Sequence, residues 1–154
     1  MAWLLRTATW VLLGGWLGSW GLFAFVVAPT AFRVLPSHAV AGDLVSPVLA
    51  ALHHYGIAAG LALGLLALLL RRGAVAVVLP LVLSGVCAAS EYGVTPAIAA
   101  LGPSAFGPAM EAAAAARFSE LHQLSRLLFG LVEVGVLVLI GLQARVEQVP
   151  AGRA

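Results

Sequence analysis

The stretch ALHHYGIAAGLALGLLALLLRRGAVAVVLPLVLSGVCAASEYGV, residues 51–94, holds two long apolar runs hinged on Arg71-Arg72. Extended outward, the first run covers residues 44–70 and the second covers 73–101. Each exceeds the ~20 residues that an α-helix needs to cross a bilayer core. Almost no loop separates them, so they predict an antiparallel helical hairpin. Continuous apolar runs of this length argue for helices and against a barrel, because only an internally hydrogen-bonded backbone is tolerated in hydrocarbon.

Two further runs flank the hairpin, at residues 7–32 and 118–142. The first follows Arg6 and is longer than the apolar segment of a signal peptide, so it reads as a retained helix. The expectation is therefore all-α: an integral membrane four-helix bundle formed by residues 1–146, with a disordered tail at 147–154. Arg33 to Asp43 (RVLPSHAVAGD) reads as a polar turn region, and Met110 to Arg117 as an outward extension of the fourth helix or a surface segment.

Composition agrees. The 154 residues are 62% hydrophobic and only 9% charged, against about 25% charged in a soluble domain. The eight basic residues are all Arg and are scattered, which excludes a nucleic-acid footprint. The Arg-for-Lys bias fits a GC-rich bacterial coding sequence. The lone Cys87 forms no intrachain disulfide and reads as a small buried hydrophobe. With the N-terminus inside, Arg6, Arg71, Arg72, Arg145 and Arg153 fall in the cytoplasm and only Arg33 and Arg117 outside. That asymmetry predicts cytoplasmic termini in a bacterial inner membrane.

Ionisable residues inside the spans are the candidate functional groups: His53, His54, Glu91, Glu120, His122, Arg126 and Glu133. His54 and Glu91 each lie ten residues from the outer end of their runs, about 15 Å deep at 1.5 Å per residue. His122, Arg126 and Glu133 share one face of the fourth helix, within about 40°. These spacings predict an outward-facing polar site between helices two, three and four, with Ser125, Tyr92 and Tyr55 at its edges. Imidazole and carboxylate suit a transition metal such as copper, and two His on different helices suit haem b. The ligands expected are His54, or His53 in its place, and His122, with Glu91 as a ligand or orienting group. His53 and His54 point about 100° apart, so only one of the two faces the site. Two other readings stay open. Arg126, Glu133 and Glu91 could mark the path of a small ion or solute transporter subunit acting as a homo-oligomer. Alternatively, the same groups are structural glue in an accessory protein that has no ligand. No nucleophile elbow, Walker loop, dinucleotide fingerprint or HExxH motif favours an enzyme.

Packing signals are present as well. Gly14 and Gly18 form a small-xxx-small face on the first helix. Trp3 and Trp10 read as interface anchors and Trp16 and Trp20 as packed residues. Pro47, Pro80 and Pro96 invite kinks, and Pro96 frees carbonyls near Glu91.

The motifs VVAP–F–VLP at Val26 to Pro36 and RF–LH–S at Arg117 to Ser125 resemble the transmembrane protein 205-like family, in bacteria the domain of unknown function 4149. The resemblance implies a four-helix membrane protein. It carries over Pro29, Phe32, Pro36, Arg117, Phe118, Leu121, His122 and Ser125 only; His53, His54 and Glu91 stand outside the motifs. A eukaryotic relative's association with platinum-drug resistance implies metal handling. The fold implied is similar to that of the copper-resistance D proteins and the HemJ-type haem oxidases.

Overall fold

The computed structural model describes residues 1–105 and 112–148. Four helices account for nearly all of it, and each is long and apolar enough to cross a membrane. Helix α1 runs Ala2–Val34, α2 runs His38–Leu69, α3 occupies residues 74–105, and α4 runs Ala112–Gln148. Successive helices pack side by side and α1 also contacts α4, which closes a bundle.

The helices outrun their apolar stretches. Residues 38–43, read above as part of a polar turn, are the first turns of α2. The connection shrinks to 35–37 for local reasons. Leu35 precedes Pro36 and is forced extended, at ψ 150, which ends α1. Ser37 then caps α2 by accepting a 3.2 Å hydrogen bond from the Val40 N–H. Residues 147–148, placed in a tail above, continue α4; the rest of that tail and residues 110–111 lie outside the described residues.

The hairpin turn is a Schellman motif. Arg71 adopts a left-handed φ of 53°, the Arg71 N–H donates to the Leu68 carbonyl at 3.0 Å and the Arg72 N–H to the Ala67 carbonyl at 2.8 Å. Glycine usually takes that conformation; an L-residue there costs about 1 kcal/mol. The turn leaves Arg71 exposed and folds Arg72 back toward the bundle.

The α2–α3 interface is the most extensive in the molecule. It exists because α2 presents glycine every fourth residue. A methyl at Gly60 would lie 2.5 Å from the Pro80 carbonyl oxygen and 2.7 Å from the Ser84 Cβ. At Gly56 it would lie 2.6 Å from the Cys87 Sγ, and at Gly64 2.9 Å from Leu81. Close backbone approach of this kind drives helix association where lipid removes the hydrophobic incentive. Ser84 adds a 3.0 Å hydrogen bond to the Ile57 carbonyl across the seam. Gly14 and Gly18, by contrast, face open space. The small-residue stripe that builds the bundle is therefore on α2, not α1. Trp16, Trp20, Leu63, Leu83, Cys87, Val132 and Val136 fill the centre.

Two π-helical turns interrupt the bundle in the half opposite the hairpin: Phe23–Val27 in α1 and Ser90–Val94 in α3. Each immediately precedes a proline by a few residues, Pro29 or Pro96. Proline lacks an N–H and clashes with the carbonyl four residues earlier, and widening the preceding turn relieves both. The Thr95 N–H donates to the Ser90 carbonyl across the widened turn, and Thr95 Oγ1 adds a second hydrogen bond to the same oxygen at 3.1 Å.

Gly60→Ala is expected to destabilise the bundle by about 1–3 kcal/mol, since the added methyl meets backbone that cannot move aside. Gly14→Ala is expected to change stability by less than about 0.5 kcal/mol. Thermal unfolding of both variants in detergent checks the pair, and equal effects would contradict the assigned seam.

Candidate functional site

The register set by the glycine seam continues toward the opposite end of the bundle and brings His53 against Glu91. Their side chains meet through His53 Nδ1 and Glu91 Oε2 at 2.9 Å. His53 is 2% exposed and Glu91 12%. Glu91 lies within the π-helical turn of α3. Trp20 of α1 meets the His53 ring edge-on, with centroids 6.0 Å apart. Phe129 of α4 stacks on Trp20 at 4.2 Å and closes the layer. All four helices thus contribute to one buried polar centre, and the histidine in it is His53.

His54, expected as the ligand, points the other way. It is exposed, its Nδ1 engages the Ala50 carbonyl at 2.7 Å, and its Nε2 lies 3.4 Å from the hydroxyl of Tyr92, itself 68% exposed. One residue of helical rotation separates the two environments.

The α4 stripe also departs from the expected arrangement. His122 and Arg126 are exposed, and His122 stacks on Phe118 with centroids 5.8 Å apart. Arg126 has no ion-pair partner among the described residues. Glu133 is half-buried, with its Oε1 3.5 Å from where a methyl on Gly21 of α1 would stand. Ser125 is half-buried. Glu120 pairs with Arg117 at 2.9 Å on the surface. Tyr55 turns toward α1 and donates to the Leu12 carbonyl at 3.3 Å.

The proposed set of His54, His122 and Glu91 is therefore not assembled. No group of three His, Cys, Asp or Glu side chains able to hold a metal occurs among the described residues. His54 and His122 do not face each other across an interior void; the interior at this level is filled by Trp20, Phe129 and Phe23. The donors that do meet number two, His53 and Glu91. Trp20, which shields them, gave no signal beyond its aromatic bulk.

Fold and site together define a multi-pass membrane protein with a closed polar centre in one half of a four-helix bundle. The chain belongs to the family described as domain of unknown function DUF4149, whose model matches residues 11–106, more than half of its length. The match spans the Val26 to Pro36 motif and both members of the His53–Glu91 pair; the Arg117 to Ser125 motif lies beyond it. No curated protein and no solved structure matches the chain.

His53→Ala is expected to destabilise the protein by about 1–3 kcal/mol, because Glu91 is left without its partner. Replacing both residues by Leu is expected to recover much of that loss, since no orphaned polar group remains. His54→Ala should be nearly neutral. Unfolding free energies of the wild type and these three variants, measured in one detergent, test the pairing. A double variant as unstable as His53→Ala would refute the pairing.

Proposed function

We propose that the protein is an accessory subunit of the bacterial inner membrane that works by associating with a second copy of itself, with both termini in the cytoplasm. The observation that carries this reading is the position of Arg126. It lies within an apolar span, is exposed on the outside of the bundle and has no ion pair among the described residues. A charged side chain facing hydrocarbon is costly, and neighbouring protein relieves that cost. His122 is exposed one turn before it, so α4 offers a second copy a continuous polar strip. Glu133, two turns along the same helix and without an ion pair among the described residues, supplies a carboxylate to match. The interior supports the same view: His53 and Glu91 satisfy each other and act as a packing lock. The five-to-two distribution of Arg supports cytoplasmic termini.

Differently tagged copies are expected to co-purify from membranes, and Arg126→Leu to reduce that recovery several-fold while leaving the monomer folded. Wild-type copies that never co-purify, or co-purification indifferent to Arg126→Leu, would overturn the reading.

A second reading rests on the His53–Glu91 contact. An imidazole nitrogen and a carboxylate 2.9 Å apart beside a π-helical turn form a two-donor start for a copper-like ion. Haem finds no equivalent support, because the two histidines proposed as axial ligands face outward. Elemental analysis of protein purified after copper supplementation separates the alternatives. Stoichiometric copper that disappears in His53→Ala favours the metal site, and copper-free protein favours the packing lock.

A further inference from the structure

The hairpin end of the bundle carries a second polar centre, independent of the first. A cavity of about 40 Å³ opens there between all four helices. Leu13, Leu63, Pro80 and Leu139 form its apolar walls, and Thr9, Arg72 and Gln143 bring polar atoms to it. The Thr9 hydroxyl is spent on the Leu5 carbonyl at 2.9 Å. Arg72 is different. The Schellman turn folds its side chain inward until it is only 10% exposed, and its Nε and Nη2 are buried with no hydrogen-bond partner among the described residues. Those two nitrogens are the parallel donors with which a guanidinium grips two oxygens of one oxyanion.

The nearest anionic group among the described residues does not fill that role. Glu147 Oε1 stands 3.9 Å from Arg72 Nη2, beyond hydrogen-bond reach. Both its oxygens are engaged elsewhere: Oε1 accepts from Gln143 Nε2 at 2.9 Å and Oε2 from the Trp10 indole N–H at 3.0 Å. The arrangement pins Glu147 beside the fork without capping it. A buried cation with two orphaned donors is strongly unfavourable, and an entering oxyanion would satisfy both. The void has room for one or two oxygens, not for a large head.

We propose that Arg72 forms an oxyanion site that takes the phosphate group of an anionic lipid headgroup or the same chemistry in free phosphate. The place fits a headgroup: it is at the end of the helices, beside an exposed indole, and basic pockets between membrane helices bind such lipids. Arg71 is exposed next to it and contributes charge without a fork.

The experiment compares thermal midpoints of the full chain in phosphatidylcholine nanodiscs and in nanodiscs containing phosphatidylglycerol. In a third arm, inorganic phosphate is added to the phosphatidylcholine sample at matched ionic strength. Phosphatidylglycerol is expected to raise the midpoint of the wild type and of Arg71→Gln by a few degrees, and to leave Arg72→Gln unmoved. A rise with inorganic phosphate identifies the free anion as sufficient; a rise with phosphatidylglycerol alone identifies the headgroup. If Arg72→Gln does not fold, Arg72→Lys keeps the charge but not the fork, and is expected to bind about tenfold more weakly. Glu147→Gln, which removes the competing carboxylate, is expected to enlarge the shift. The proposal fails if the wild type responds to neither probe, if Arg71→Gln loses the shift as fully as Arg72→Gln, if Arg72→Lys keeps all of it, or if Glu147→Gln abolishes it.

Discussion

A polar group at membrane depth must find its partner in protein, in this chain or in one packed against it, because hydrocarbon offers none. That constraint accounts for the architecture in order. It requires the backbone to be helical across four spans. It requires the widened turns before Pro29 and Pro96 to be satisfied locally, as Thr95 does for the Ser90 carbonyl. It also requires a buried carboxyl group such as that of Glu91 to meet a hydrogen-bonding partner, and His53 is that partner. The glycine seam serves this end as well. Without Gly56, Gly60 and Gly64 the α2 and α3 backbones would stand farther apart, and the histidine would not reach across at 2.9 Å.

What could be read from the sequence follows from the same physics. The number and approximate position of the spans were legible because length and apolarity are summed over some twenty residues and tolerate local error. Helix ends were less legible. His38 to Asp43 looks like a turn to a reader of composition, yet a Ser cap and a helix end enforced by Pro36 make it helix. Outside the bilayer a helix gains nothing from being apolar, so polarity no longer marks its boundary.

The face of each helix was the least legible property. In a soluble bundle a polar stripe points outward and fixes the rotation. Here α2 is apolar all round, and its rotation is set by where glycine lets α3 approach. Gly14 and Gly18 have the same spacing as those glycines and face open space, so spacing alone does not single out the seam. Had Gly56, Gly60 and Gly64 been taken as the buried line, His53 and not His54 would have followed, since His53 lies three residues before Gly56 on that line. The burial of Arg72 was illegible for another reason: a left-handed Arg71 is not written in composition.

The two polar centres differ in a way that bears on how such a protein works. The one that contains His53 and Glu91 is neutralised from within and sealed by Trp20 and Phe129. Its partners come from separate helices, so separating any two of them exposes a polar group to an apolar medium. That penalty makes the pair a determinant of packing, whatever else it does. At the opposite end Arg72 is buried with donors to spare, while Trp10, Gln143 and Glu147 tie α1 to α4 around it. A membrane protein can leave a charge incomplete only where something from outside the chain completes it, and the end of the bundle is where phosphate groups are found. The closed centre therefore belongs to the fold and the open one to the surroundings. The exposed Arg126 on α4 stands with the open centre, because it is a cation in an apolar span with no ion-pair partner among the described residues.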